Sequence, residues 1–101
     1  MIHICICDDS DAMRDELCGL IQELCQKHSI AASVSCCSSG EELLFDPDDK
    51  NRTTDIFFLD ILMKKLNGIE TAARLRAINP TAQIIFLTVS KEHVFEALDV
   101  M

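Results

Sequence analysis

The sequence predicts an α/β domain built on an open parallel sheet, and three observations carry that prediction. Short runs of β-branched and other apolar residues alternate along the chain with stretches of helical periodicity. The connections between them are short, as in strand–helix–strand units with right-handed crossovers. After its first residue, Asp55 to Leu59 is continuously apolar, the pattern of a central parallel strand covered on both faces.

Each element can be read in turn. Ile2 to Cys7 is a buried first strand ended by Asp8 and Asp9. Ser10 or Asp11 stands where a helix N-cap belongs. Met13, Leu17, Leu20, Ile21, Leu24 and His28 then follow at helical spacing, predicting one apolar face, with Arg14, Asp15, Glu23 and Lys27 opposite. Ile30 to Cys37 alternates more weakly and suits an outer strand. Ser38-Ser39-Gly40-Glu41-Glu42 opens a short helix containing Leu43, Leu44 and Phe45. Asp46 to Arg52 is a polar loop with proline, too short to separate domains. The third strand is Asp55 to Leu59. Asn67-Gly68 precedes a helix from Ile69 to Ile78 that Asn79-Pro80 stops. Gln83 to Thr88 is the fourth strand, and Lys91 to Met101 starts another helix.

Bulk properties narrow the function. A chain of 101 residues makes one domain, 1–101, and 49% hydrophobic with 26% charged residues is the composition of a globular protein. A net charge of −8 argues against direct binding of nucleic acid by this segment. No apolar stretch reaches the roughly 18 residues of a membrane span. The N-terminus lacks a signal peptide's basic region, so the expected location is the cytoplasm. The six cysteines form no zinc-knuckle pattern. Cys5 and Cys7 share one strand face and Cys18 and Cys25 are seven apart on a helix, so the expectation is reduced, core-filling thiols.

Chemistry concentrates at the strand ends. Asp8 and Asp9 follow the first strand, Asp60 follows the third, and Thr88 ends the fourth. Open parallel sheets bind ligands outside the carboxyl ends of their strands. If the first and third strands are neighbours, three carboxylates converge on one pocket and repel by several kcal/mol at an effective dielectric of about 20. A hard divalent cation with oxygen ligands is the natural counter-charge, and Mg²⁺ suits a site of one or two carboxylates with water and phosphate oxygens. Aspartates also commonly begin turns after strands, which accounts for any one of the three more easily than for all of them together.

At these residues the sequence resembles the receiver domain of two-component response regulators over its whole length. The resemblance rests on Ile-Cys-Ile-Cys-Asp8-Asp9, on Asp60, Met63 and Gly68 at offsets of zero, three and eight, and on Ile-Ile-Phe-Leu-Thr88. Ser39-Gly40-Glu41-Glu42-Leu43-Leu44 is also similar to receivers coupled to LytTR-type DNA-binding domains. The resemblance implies a flavodoxin-like receiver fold with strand order 2-1-3-4. It makes Asp60 the acceptor of a phosphoryl group from a sensor histidine kinase. Asp9 and Asp60 would ligate Mg²⁺ with the backbone carbonyl of Leu62, Asp8 would hold the metal through water, and the Thr88 hydroxyl would reach a phosphoryl oxygen.

Two departures stand out. Lys64 occupies the position after Met63 that is usually proline, and Lys65 follows it. The fifth strand and helix of the family, with the strand's lysine, find no counterpart before Met101, so the chain reads as a C-terminally truncated receiver whose output domain lies elsewhere. Its fourth strand is then an open edge, which favours a homodimer. A phosphohydrolase with an aspartyl intermediate is disfavoured, because Leu62 stands where its second carboxylate belongs. Flavin binding is disfavoured by Asp8-Asp9 in place of a phosphate loop. A non-phosphorylated interaction module is the remaining alternative.

Overall fold

Alternation along the strands sorts the side chains into two cores, one on each face of the sheet. The computed structural model describes residues 1–87 and 94–100. The strands β1 (Ile2–Cys7), β2 (Ala32–Cys37), β3 (Ile56–Leu59) and β4 (Gln83–Phe86) are interleaved with the helices α1 (Asp11–Lys27), α2 (Gly40–Leu44), α3 (Gly68–Ile78) and α4 (Val94–Val100), and Lys50–Thr53 forms a 3-10 turn. All strand pairs are parallel, in the order β2-β1-β3-β4. Cys5, Cys7, Phe57, Leu59 and Ile84 point to one face, where Leu43 of α2 and Ala72 and Leu75 of α3 cover them. Ile4 and Ile6 point to the other, against Ile21 of α1, with Val34, Ile56 and Phe58 half-buried beside them. Phe57, Ile6, Leu59 and Leu75 are fully buried, each contributing about 1.5–3 kcal/mol of transfer free energy.

The helix signals act where expected. Ser10 caps α1, its hydroxyl accepting the Met13 N–H at 3.3 Å. Ser39 caps α2 by accepting the Glu42 N–H at 3.0 Å, and the Glu42 carboxylate accepts in return from the N–H and hydroxyl of Ser38. Those bonds hold Glu42 below the usual carboxylate range. Asn67 caps α3 through Glu70 N–H at 2.9 Å.

The apolar face of α1 differs from the sequence reading. Ile21 is buried and Leu17 half-buried, but Met13, Leu20 and Leu24 are 49%, 52% and 46% exposed, and His28 is the C-cap residue. The side chains that meet the sheet are Leu17, Cys18, Ile21 and Cys25. They pack against Ala32 and Val34 of β2 and Ile4 and Ile6 of β1, leaving Met13, Leu20 and Leu24 on the outer side of the helix. Among the described residues α1 alone covers this face of the sheet, and Ile85 of β4 is 42% exposed.

Other boundaries shift slightly. β2 begins at Ala32 and β3 at Ile56. β4 ends at Phe86, although the Leu87 N–H still reaches Leu59 O at 2.9 Å. Thr88, Lys91 and Met101 lie outside the described residues. All six thiols are free, but Cys36, on the outer strand, is exposed and not a core residue. Burial, before any nearby charge, pushes the Cys7 thiol up to about 12, which keeps it neutral beneath the sheet's carboxyl end. No helix among the described residues is long and apolar enough to cross a membrane.

At the amino end of β3, Asn79 is more than a helix stop. It is 5% exposed, and its amide donates to Asn51 O and Thr54 O, both at 2.8 Å. Its carbonyl accepts the Ala82 N–H at 3.1 Å. Asn51, itself buried, donates to Leu43 O at 2.8 Å. This network ties α3, the 3-10 turn and α2 together. Asn79→Ala leaves several buried groups without partners and should cost about 2–4 kcal/mol, read as a lower urea midpoint at unchanged slope.

Candidate functional site

Backbone register brings the site residues together before any side chain acts. Cys7 pairs with both Cys37 and Leu59 in the parallel ladders. The Asp8 N–H bonds to Cys37 O at 3.2 Å and the Asp60 N–H to Cys7 O at 2.9 Å. The chains leaving β1 and β3 therefore stay side by side for one more residue. Asp8, Asp9 and Asp60 offer carboxylate oxygens that all lie within 4.8 Å of one another. Asp8 is buried, Asp9 exposed and Asp60 half-buried, so the cluster is anchored below and open above.

Asp8 carries the electrostatic cost. Burial, followed by the charges of Asp60 and Asp9 and a hydrogen bond with the Asp60 carboxyl, holds its carboxyl above the usual range. The Ser10 N–H donates to Asp8 Oδ1 at 2.9 Å and opposes that rise. A carboxyl whose pKa is raised by folding stabilises the fold below its unfolded value, and that contribution is lost as pH climbs through the folded value. As pH rises, the charge on Asp8 therefore works against the fold unless a cation compensates it.

Arg14 and Glu41 hold the pocket through contacts that local sequence patterns did not reveal, and Gly68 has a steric role behind its place in the motif. Arg14 reaches back from α1 to donate to Asp8 O at 2.7 Å while pairing with Asp11. Glu41 accepts the Leu66 N–H at 2.8 Å, fastening the β3–α3 loop to the start of α2 across 25 residues of sequence. Gly68 packs so tightly that a Cβ there would collide with the Asp60 carbonyl and approach Ile61 Cα at 2.9 Å. Its N–H donates to Ile61 O at 2.9 Å, so the offset of eight between Asp60 and glycine has a steric cause.

Leu62 lies in this loop, two residues after Asp60, with its side chain 65% exposed. Met63 turns inward, 9% exposed, and its sulfur accepts from the Cys7 thiol at 3.7 Å. Lys64 and Lys65 are exposed and, with Asp9, Ser38, Ser39 and Glu41, line a cleft of about 210 Å³ beside the carboxylates. Thr88 lies outside the described residues.

The donor set can be tested for fit to a metal. At Mg²⁺–O distances of 2.0–2.1 Å, octahedral ligands stand about 3 Å apart when adjacent and about 4 Å when opposite. Three acidic oxygens within 4.8 Å need only small adjustments to reach that spacing. Hard oxygen donors with an open, solvent-facing side suit a cation that keeps several waters.

Fold and site together define an open parallel α/β domain with an acidic pocket where β1 and β3 end. The sequence matches the response regulator receiver domain over residues 4–101, and the chain belongs to that family. It is 33% identical over 99 residues to the positive alginate biosynthesis regulatory protein of Pseudomonas aeruginosa, covering 98% of this chain and 38% of that protein. It is 26% identical over 99 residues to the sensory transduction protein LytT of Enterococcus faecalis, with the same two coverages. The chain thus spans about two fifths of the length of the curated relatives it matches. The fold is that of the chemotaxis protein CheY4 of Vibrio cholerae, with a TM-score of 0.79, 20% identity, and coverage of 99% of this chain and 80% of that one. It is also similar to the response regulator protein TrrA of Thermotoga maritima, solved in complex with Mg²⁺ and a beryllium fluoride, with a TM-score of 0.76, 27% identity, and coverage of 94% and 76%.

If the three carboxylates form one electrostatic unit, Asp8→Asn has opposite effects on two measurements. In metal-free buffer at neutral pH it should raise the thermal midpoint, by about 4–8 °C for each kcal/mol of relieved repulsion. In calorimetric titration the same variant should bind Mg²⁺ more weakly than the parent. A variant less stable without metal would reduce Asp8 to a turn residue.

Proposed function

We propose that this receiver domain of a two-component response regulator takes a phosphoryl group onto Asp60. The observation that carries the reading is the convergence of Asp8, Asp9 and Asp60 within 4.8 Å at the carboxyl ends of β1 and β3. The Asp60 carboxylate attacks the phosphorus of a phosphohistidine on a sensor histidine kinase. The P–N bond breaks as the P–O bond forms, and the departing imidazole nitrogen takes up a proton. Asp9 and Asp60 would hold Mg²⁺ with the backbone carbonyl of Leu62, and Asp8 would hold it through water. An ion held there would supply neutralisation of the charge on the transferring phosphoryl oxygens. Asp8, buried and fixed by the Ser10 N–H, keeps the pocket anionic enough to attract the cation. Asp9, exposed at the cleft mouth, leaves room for the incoming group.

The Thr88 hydroxyl donates to a phosphoryl oxygen once Asp60 is modified, and the added charge biases the surface around β4 and α4. The domain is a phosphoacceptor and not an enzyme acting on an external substrate. It works in the cytoplasm, and its output is a transcriptional, LytTR-type DNA-binding domain. Support for that output comes from the relatives named as LytT and as an alginate biosynthesis regulator. The net charge of −8 argues against direct contact with DNA by this segment.

Beryllofluoride with Mg²⁺ mimics the phosphoryl group. Amide NMR spectra should shift at Asp60, Leu62 and Thr88 on adding both reagents, and Asp60→Asn should abolish those shifts. Unchanged spectra in the parent protein, or equal shifts in Asp60→Asn, would overturn the reading.

The exposed Ile85 and the outer side of β4, which among the described residues pairs only with β3, further support association between copies through this edge. Sedimentation equilibrium should show a dimer that grows with concentration; a monomer throughout would contradict it.

A further inference from the structure

The sheet divides the six thiols evenly between its faces. Cys5, Cys7 and Cys37 belong to the side covered by α2 and α3. Cys18 and Cys25 of α1 pack on the opposite side. Cys36 joins this second group, because it is two residues beyond Val34 on β2 and register-paired with Ile6, both of which face α1. Cys18, on the helix that packs on this same face, is the neighbouring thiol that raises the pKa of Cys36. The two come from different elements, separated by most of α1 and the whole crossing to β2, yet both stand on the face where α1 packs against β2.

The pair differs from the other thiols in access and in surroundings. Cys36 is exposed and Cys18 only half-buried, whereas Cys5 and Cys7 are buried. One helical turn before Cys18, Arg14 presents its guanidinium to Cys36 and favours the thiolate there. Burial and the Cys18 thiol act against that and together hold Cys36 above the usual thiol range. The thiolate is therefore a minor species, and oxidation should be slower than at an activated cysteine. It has a resolving partner already in place.

We propose that Cys18 and Cys36 form an oxidisable thiol pair, a modification site for hydroperoxides that closes into a disulfide joining α1 to β2. The exposed Cys36 sulfur attacks the distal oxygen of the hydroperoxide. The O–O bond breaks, the alcohol (water, for hydrogen peroxide) leaves with the thiol proton, and Cys36 becomes a sulfenic acid. The Cys18 sulfur then attacks the Cys36 sulfur; the S–O bond breaks, and the hydroxyl leaves as water with the Cys18 proton. Two thiols are oxidised for each hydroperoxide reduced. Arg14, which donates to Asp8 O, makes the pair a neighbour of the acidic pocket. The pair rests on the α1–β2 packing and is independent of any phosphorylation at Asp60.

The test uses the intact chain, reduced, freed of reductant and treated with hydrogen peroxide. Remaining thiols are blocked with a maleimide, and the unreduced digest is analysed by mass spectrometry. Two of the six thiols should be lost, in one peptide pair linking Cys18 to Cys36 that dithiothreitol separates. Cys36→Ser should leave no disulfide, and Cys18→Ser should leave a sulfenic acid on Cys36 that dimedone traps. The native circular dichroism of each variant establishes that it is folded. A linkage through Cys5, Cys7, Cys25 or Cys37 would overturn the proposal. So would sulfinic acid at Cys36 without linkage in the parent, or six thiols still free.

Discussion

The parallel pairing of β1 with β3 is the constraint on which the rest depends. Register Cys7↔Leu59 sets the last core residues of both strands side by side, so the next residues, Asp8 and Asp60, leave the sheet together. Nothing in the pocket favours that arrangement by itself, because like charges repel. The stabilising free energy comes from beneath, where Phe57, Leu59, Cys7 and Leu75 are sealed from water. The fold holds an unfavourable acidic cluster because hydrophobic burial over two faces of a sheet outweighs a few kcal/mol of repulsion. A site assembled in this way is poised to respond to any cation or charged group that changes its balance.

Contacts around the pocket extend this pattern. The Ser10 N–H and the Arg14 guanidinium fix the two sides of Asp8 from the first turn of α1. Glu41 and Gly68 fix the loop after Asp60 from α2 and α3. Three helices thus meet at one end of the sheet, each contributing one contact to the backbone of the acidic loops. The asparagine network at the opposite end fastens α2 and α3, two of these helices, together without touching the site. A change of charge in the pocket consequently acts on helices that are already coupled.

Much of this was legible in the sequence, for identifiable reasons. The strands ended by Asp8-Asp9 and Asp60 could be read because buried parallel strands are uninterrupted apolar runs, and strand ends are where such sheets place ligands. The Asp60–Gly68 spacing was legible as a motif, but its cause, a glycine pressed against the Asp60 carbonyl, is a tertiary contact with no local signature. The face of α1 was read in part: Leu17, Ile21 and the seven-residue spacing of Cys18 and Cys25 pointed to the side chains that meet the sheet, whereas Met13, Leu20 and Leu24 share the helical spacing and are exposed. Packing on the sheet selected the stripe of Leu17, Cys18, Ile21 and Cys25, a choice between two overlapping apolar faces that spacing alone leaves open. Arg14 and Glu41 were read as solvent-facing or cap residues, since their partners lie on other elements.

The central claim is that the three converging carboxylates are a cation-dependent phosphoacceptor. The most direct measurement incubates the chain with a small phosphodonor, with and without Mg²⁺, and follows intact mass. The account predicts the gain of one phosphoryl group only when Mg²⁺ is present, mapped to Asp60 and released by hydroxylamine as an acyl phosphate must be. A gain that is independent of Mg²⁺, or that maps to a residue other than Asp60, would contradict it.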